Sequence, residues 1–154
     1  GDQFQGSLFY TYYKGALAAD MMNRMGYDAM TVGNHEFDDG PIKLREFIDK
    51  VSFPVVSGNL DLSGEDLLKG HVENTVVLEV GGEKIGIVSA LATDTVETSS
   101  PGPNVIFQDE LDAIAADVAE LEAEGVDQRR RRHGGQPQGR EVVHHAPAVG
   151  DLLG

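Results

Sequence analysis

Apolar residues in the first part of the chain alternate between helical and strand periods. The pattern predicts an amphipathic helix over residues 8–25, which ends at Gly26 in the C-terminal cap position. Its inner face is predicted from three residues spaced by four: Leu17, Met21 and Met25. The apolar run at residues 27–32 then predicts a short buried strand that ends at Gly33.

A second helix and strand follow in the same order. Pro41 favours the first turn of a helix over residues 41–50, because a first-turn N–H has no partner within its own helix. Its inner face is predicted to contain Leu44, Phe47, Ile48 and Val51. The run at residues 53–57 predicts another buried strand.

The rest of the patterned sequence predicts a hairpin, a loop and a long helix. Residues 75–80 and 84–91 flank Gly81-Gly82, a pair that supplies the positive φ angles of a tight hairpin turn. Residues 93–104 predict a loop, and residues 108–124 predict an amphipathic helix. The inner stripe of that helix is predicted to be Ile114, Val118 and Leu121. Helices that alternate with strands predict a layered α/β fold.

Charge divides the chain into two parts. Residues 1–127 contain 24 acidic and 7 basic residues, a net charge of −17, whereas residues 128–154 carry a net charge of +3. We therefore predict a folded region over 1–127 and an irregular basic tail over 128–154. The acidic balance argues against nucleic-acid binding, and no apolar run approaches the length of a membrane span. The 154 residues include no cysteine, which excludes disulfides and thiolate metal sites.

Two short motifs combine glycine with side chains that bind metals or transfer protons. The sequence GDQFQGS at residues 1–7 places Asp2 in a glycine-rich turn before a helix, an arrangement that also suits a simple capping loop. The sequence GNHEFD at residues 33–38 follows a predicted buried strand, where α/β folds commonly bind ligands. A polar turn with a surface histidine is the alternative interpretation of this second motif.

The residue types of the second motif suit phosphate chemistry. The carbonyl oxygen of Asn34 can bind a divalent ion, and His35 can bind a metal or donate a proton. Asp38 lies three residues after His35, so a short turn would bring its carboxylate to the imidazole. Such a contact would orient the ring and favour its charged form.

Together the two motifs resemble those of the 5′-nucleotidase branch of the calcineurin-like metallophosphoesterases, in particular the ecto-5′-nucleotidase and periplasmic UDP-sugar hydrolase group. The strongest matches are GDQFQGS, YKGALAADMMNRMGYDAM at residues 13–30 and GNHEFDDG at residues 33–40. Weaker similarity continues through residues 53–61, 83–91 and 104–114.

The resemblance implies a partial metallophosphoesterase domain, an α/β/β/α sandwich with mixed sheets, which hydrolyses phosphoesters with two divalent metal ions, zinc or manganese. By this resemblance, Asp2 matches the carboxylate that bridges the two metals, and Asn34 matches a ligand of the second metal that also lies at the substrate. His35 matches the histidine that faces the substrate phosphate, and Asp38 matches its carboxylate partner. The resemblance assigns no chemical role to Glu36 or Phe37.

The resemblance also implies the substrate and the cellular location. The expected activity is that of a 5′-nucleotidase, which releases phosphate from nucleoside monophosphates outside the cytoplasm: extracellular, periplasmic or at the cell surface. A metallophosphoesterase of other specificity, such as a 2′,3′-cyclic nucleotide phosphodiesterase or a thiosulfate-processing paralogue, remains an alternative. So does a non-catalytic binding module.

Several family motifs do not occur in this sequence. The family has an Asp-x-His motif before its GD motif, two later histidine motifs and a nucleotide-binding C-terminal domain. We therefore expect the chain to be an internal fragment of the catalytic domain with little activity of its own. The tail histidines are poor replacement ligands, because neighbours on an extended chain point to opposite faces. They are His133, His144 and His145.

The arginine run at residues 129–132 suggests a different origin for the tail. The family has β-branched residues at this place, and repeated valine codons GTC become arginine codons CGT when they are translated one base early. We therefore hypothesise that residues 128–154 are out of frame. Genomic DNA that encodes a hydrophobic strand and a GH motif in a neighbouring frame would support this hypothesis.

Overall fold

The computed structural model describes residues 1–126, where helices alternate with short strands as the sequence predicts. The helices are α1 (Leu8–Tyr13), α2 (Ala16–Met25), α3 (Pro41–Ile48), α4 (Thr95–Thr98) and α5 (Glu110–Ala123), with a 3₁₀ helix at Asn34–Phe37. The strands are β1 (Met30–Thr31), β2 (Val55–Val56), β3 (Leu60–Asp61), β4 (Thr75–Val80), β5 (Glu83–Val88) and β6 (Ile106–Phe107). The α/β class is confirmed. The predictions for residues 128–154 lie outside the described residues.

The single helix predicted over residues 8–25 is wrong, because the backbone turns between α1 and α2. Lys14 and Gly15 have φ angles of 50° and 85°, and neither value allows an α-helix to continue. The buried face of α2 is also displaced by one position from the prediction. Ala19 and Met22 are buried, whereas the predicted inner residues Met21 and Met25 are about half exposed or more.

Three two-stranded sheets form in the described residues, and one of them determines where the GNHEFD segment begins. Strands β1 and β2 are parallel, with Met30 opposite Val55 and Thr31 opposite Val56. The predicted strands at residues 27–32 and 53–57 are therefore confirmed in position but are shorter than expected. The chain leaves the end of β1 directly into residues 33–38, as the motif position predicts.

The predicted hairpin is confirmed, and α5 packs on one of its strands. Strands β4 and β5 pair antiparallel around Gly81 and Gly82, both of which have positive φ angles. In α5, the buried positions are Ala113, Asp117 and Leu121, so the prediction is confirmed at Leu121 and displaced by one residue at the other two positions. Ile114 and Val118 lie at the margin of this buried face and are half-buried.

The segment predicted as a loop over residues 93–104 contains α4, and the small sheet of β3 and β6 was not predicted. The buried side chain of Asn59, directly before β3, joins this part of the chain to Leu91 and to Gln108, directly after β6. Asn59 donates hydrogen bonds from its side-chain nitrogen to the backbone oxygens of Leu91 at 2.7 Å and Gln108 at 3.2 Å. The same side chain accepts one from the Leu91 N–H at 2.7 Å. These contacts cross long sequence separations, so no local pattern predicts them.

An apolar core lies beneath both sequence motifs. Phe37 and Leu44 are fully buried, and the ring of Phe47 meets that of Phe4 edge-on at a centroid distance of 5.6 Å. Phe4 comes from the first motif and Phe37 from the second, so each motif has an apolar anchor in the same cluster. None of the described helices is long and apolar enough to cross a membrane.

Candidate active site

The segment 33–38, which we call the second loop, alternates buried anchors with accessible polar side chains. Its central residues Asn34–Phe37 form a 3₁₀ helix, and Glu36 and Phe37 of this turn are fully buried. Asn34, His35 and Asp38 remain partly accessible. The tight turn therefore presents the three predicted site residues at the surface while the other two fix it to the core.

His35 and Asp38 are in contact, as their spacing predicts. His35 Nδ1 lies 2.8 Å from Asp38 Oδ2, and the imidazole is 44% exposed. Because Nδ1 faces Asp38, Nε2 is the ring nitrogen available to a ligand. The other Asp38 oxygen, Oδ1, accepts a hydrogen bond from the Ser99 hydroxyl at 2.7 Å. Ser99 thus extends the pair to a chain of three side chains.

The electrostatics of these three hydrogen-bonded side chains favour a charged imidazole. The hydrogen bond to Asp38 raises the pKa of His35 above its ordinary value. Partial burial opposes ionisation of Asp38, but hydrogen bonds from His35 and Ser99 hold the pKa of Asp38 below its usual range. Asp38 therefore stays ionised, and His35 keeps its proton to a higher pH than a free histidine does.

Asp2 approaches the second loop at Gly33. A Cβ atom at Gly33 would overlap the Asp2 carboxylate and would lie 2.8 Å from Glu36 Oε2. Gly33 has a φ of −104°, so this position needs glycine for space and not for backbone conformation. Asp2 also lies close enough to His35 to raise the pKa of the imidazole. The structure thus brings Asp2, from residues 1–7, to the residue that precedes Asn34.

Glu36 joins residues 1–7, which we call the first loop, to the second loop. Its Oε1 accepts hydrogen bonds from the N–H groups of Gln3 at 2.6 Å and Phe4 at 3.1 Å, and its Oε2 accepts one from Gly33 at 2.8 Å. Burial raises the pKa of Glu36 above its ordinary value, although the three N–H donors favour the carboxylate.

A second polar contact joins the end of α1 to the residue after the second loop. Tyr10 donates a hydrogen bond from its hydroxyl to Asp39 at 2.8 Å, and Lys14 forms an ion pair with the same carboxylate oxygen at 2.8 Å. Burial and the Asp39 carboxylate raise the pKa of Tyr10. These contacts fix α1 beside the site, although α1 lies far from His35 in the sequence.

The sequence alone assigns no role to Glu36 or Ser99. Glu36 carried a signal, since a glutamate three residues after a helix-capping position commonly accepts a hydrogen bond from the capping N–H. Ser99 carried none, because its partner Asp38 lies 61 residues away in the sequence.

The donors at this edge fit part of a divalent metal site. Asp2 and Asn34 offer a carboxylate and an amide oxygen, both suited to divalent ions. A zinc ion takes about four ligands and a magnesium-like ion about six, so two side chains do not complete either set. Within residues 1–126, no group of three or more histidine, aspartate or glutamate side chains is placed to hold a metal ion.

Known proteins match this chain over the greater part of its length. No family model matches it. A 5′-nucleotidase of Diplobatis ommata is 47% identical over 131 residues, which cover 82% of this chain and 22% of that protein. The crystal structure of a 5′-nucleotidase precursor from Thermus thermophilus superposes with a TM-score of 0.80 at 45% identity, over 82% of this chain and 25% of that one.

A more distant structure identifies the fold. A calcineurin-like phosphoesterase of Bacillus subtilis superposes with a TM-score of 0.64 at 23% identity, over 89% of this chain and 49% of that one. The chain spans about a fifth of the length of the curated relatives it matches. Over the segment that they share, this chain is similar in sequence and structure to 5′-nucleotidases, and it has part of the calcineurin-like phosphoesterase fold.

Proposed function

We propose that residues 1–126 carry part of the catalytic site of a metal-dependent phosphoester hydrolase that acts as a 5′-nucleotidase. The observation that carries this proposal is the His35–Asp38 pair beside Asp2 and Asn34, within a segment 45–47% identical to 5′-nucleotidases. His35 and Asp38 are the proposed catalytic pair, Asp2 and Asn34 the proposed metal ligands, and Asn34 and His35 the proposed contacts to substrate.

His35 is suited to bind the phosphate of a nucleoside monophosphate. Asp38 holds Nδ1, so the charged ring presents Nε2 and its proton to a phosphate oxygen. Charge increases on the oxygens as the phosphoryl group is transferred, and a fixed cation stabilises that state more than the ground state. Ser99 restricts the carboxylate of Asp38 and thereby the plane of the ring.

Asp2 and Asn34 would contribute ligands to two divalent ions, for which we propose zinc or manganese. Such ions, when bound, neutralise the phosphate and lower the pKa of a bound water. Bound metal ions would also supply positive charge for an anionic substrate in a chain whose net charge is −14. By analogy with the relatives, we also propose an extracellular, periplasmic or cell-surface location.

The role assignment is tested by two variants in the whole protein. His35→Ala should lower kcat by roughly 10²–10³ while the metal content stays unchanged, because it removes a charge that stabilises the transition state. Asp2→Ala should remove metal. His71→Ala is the control, since His71 is an exposed histidine outside both loops. Unchanged kcat in His35→Ala, or full metal content in Asp2→Ala, would refute the assignment.

The substrate assignment needs a separate comparison. The whole protein without substitutions, with added Mn²⁺ or Zn²⁺, should release phosphate from AMP faster than it opens 2′,3′-cyclic AMP. The opposite preference would identify a cyclic phosphodiesterase. No hydrolysis of either substrate at any metal concentration would favour a binding module.

A further inference from the structure

We infer that Glu36 is a positioning residue whose buried carboxylate holds the first loop against the second and so sets Asp2 beside Asn34 and His35. This inference rests on the proposed function for its consequence, although the contacts that carry it do not. It gives a role to a residue of the GNHEFD motif to which neither the resemblance nor the chemistry of the surface side chains assigns one.

The burial of Glu36 is the first observation. Its side chain is fully buried; Phe4, the apolar anchor of the first loop, donates its N–H to it, and Phe37, the anchor of the second loop, directly follows it in the sequence. A buried carboxylate is costly unless hydrogen bonds replace the lost water. A glutamate retained at such a position needs compensating donors, and the backbone supplies them.

The distribution of those donors is the second observation. Oε1 accepts from Gln3 and Phe4 of the first loop, and Oε2 accepts from Gly33 of the second. The two oxygens therefore face different loops, and each is engaged. A carboxylate offers acceptors on both sides, which no other side chain of the same size does: an amide has one acceptor and one donor.

The Glu36 hydrogen bonds affect the site because their backbone donors adjoin the proposed metal ligands in the sequence. Gln3 directly follows Asp2, and Gly33 directly precedes Asn34, so the Glu36 hydrogen bonds lie one residue away from each proposed metal ligand. The Asp2 carboxylate fills the space above Gly33 that a Cβ would occupy. A shift of either loop would separate Asp2 from Asn34, even with every proposed ligand intact.

Glu36→Gln is the appropriate test because glutamine preserves the volume but replaces one acceptor by a donor. The amide oxygen should face the two donors of the first loop, which places the NH₂ group against the Gly33 N–H and breaks that bond. The matched control is Glu65→Gln. Glu65 is also a buried glutamate, but within residues 1–126 its side chain accepts from the N–H of Leu67 in its own turn and not from a second loop.

Hydrogen exchange of the whole protein is the first measurement. In the wild type, the amides of Gln3, Phe4 and Gly33 should exchange slowly and at similar rates, since one carboxylate holds all three. In Glu36→Gln, exchange at Gly33 should be at least about tenfold faster, whereas Glu65→Gln should leave the three amides unchanged. Equal protection in Glu36→Gln and wild type would overturn the inference. So would a wild type in which Gln3 and Phe4 exchange freely, a result that does not depend on whether the variant folds.

Mn²⁺ binding to the whole protein is the second measurement, and it separates positioning of the metal ligands from a loss of stability. Mn²⁺ should broaden the NMR signals of Asp2 and Asn34 together in the wild type and in Glu65→Gln. In Glu36→Gln, the concentration needed should rise about ten- to a hundredfold, as for other residues that orient metal ligands. Equal Mn²⁺ response in Glu36→Gln would overturn the inference. Protected amides with no Mn²⁺ response in the wild type would instead contradict the proposed metal site and leave the loop contact supported.

Discussion

At the scale of single residues, Ser99 contacts Asp38 although 61 positions separate the two in the sequence. It donates to one carboxylate oxygen of Asp38, while His35 contacts the other. Removal of this hydroxyl leaves the His35–Asp38 pair in place but lets the carboxylate rotate. The effect should therefore appear in the rate and not in metal binding.

Ser99→Ala should lower kcat of the whole protein roughly tenfold, the equivalent of one hydrogen bond to a charged group. Ser99→Thr, which keeps the hydroxyl, should restore most of the rate. Ser100→Ala is the control, because Ser100 contacts the second loop through its backbone N–H, which donates to Phe37. A rate in Ser99→Ala equal to that of Ser100→Ala would show that the third member of the chain is dispensable.

Gly33 gives a second prediction at this scale. A methyl group there would collide with the Asp2 carboxylate, so Gly33→Ala should weaken metal binding about tenfold or more while the fold persists. The control is Gly64→Ala, where the added Cβ would make only an ordinary contact of 3.7 Å with the Asn104 oxygen. Isothermal titration of the whole protein with Mn²⁺ measures the metal affinity of both variants. An affinity for Gly33→Ala like that of the control would contradict the close approach of Asp2.

At the scale of elements, α5 carries a buried acid on its inner face. Asp117 is 5% exposed and lies against Gly58, and its Oδ2 atom has no hydrogen-bond partner among the described residues. Burial raises the pKa of Asp117 from 3.8 to about 6. The folded state therefore retains a proton on Asp117 at pH values where the unfolded state has lost it.

This shift predicts a pH-dependent gain for Asp117→Asn. Below about pH 4 both states of the wild type are protonated, so the variant and the wild type should be nearly equal in stability. Between pH 4 and 6 the unfolded wild type ionises first, so its stability falls as the pH rises. Above pH 6 the variant should be more stable by roughly 1–3 kcal/mol.

Urea unfolding at pH 4, 6 and 8 measures this difference in the free energy of unfolding. Glu122→Gln is the control, because it removes a charge from an exposed position of the same helix. If Asp117→Asn gains stability equally at all three pH values, the cause is not the ionisation of Asp117.

The elements also show which parts of the fold a sequence pattern can predict. The Gly81-Gly82 hairpin and the Pro41 helix follow from local turn and cap chemistry, and both are confirmed. The break in the first helix was missed because Lys14, a good helix former, adopts a positive φ. Tertiary contacts outweigh local preference there: the ring of Phe4 packs against Gly15, which has no side chain to displace it.

The site divides in the same way. The His35–Asp38 contact follows from a spacing of three residues and was predicted, and the structure confirms that contact. The role of Asp2 came from family resemblance, and that of Asn34 from the resemblance and the chemistry of its side-chain oxygen; both stay predictions. The contacts of Glu36 and Ser99 join residues far apart in the sequence, so they required the folded structure.

At the scale of the whole molecule, the described residues combine an incomplete ligand set with exposed apolar side chains. Two proposed ligands cannot hold two divalent ions, so the 154-residue chain with excess Mn²⁺ or Zn²⁺ should hydrolyse AMP little or not at all. On α1, four large side chains are more than half exposed: Leu8, Phe9, Tyr12 and Tyr13. Such a surface favours association, so we expect a low, broad thermal transition by circular dichroism.

Either of two results would contradict this expectation. One is metal-dependent turnover near that of an intact 5′-nucleotidase. The other is a sharp cooperative melt at high temperature. Turnover would show that the 154-residue chain completes a metal site by itself, and a sharp melt would show that it folds stably despite its exposed apolar side chains.

The most direct test of the account is the location of a bound metal ion. A crystal of the whole protein grown with Mn²⁺ should show an anomalous-scattering peak about 2.0–2.5 Å from both the Asp2 carboxylate and the Asn34 side-chain oxygen, beside the His35 ring. Such a peak would establish that the two loops joined by Glu36 share one metal site. Anomalous peaks at other acidic residues, with none in contact with Asp2 or Asn34, would contradict the account.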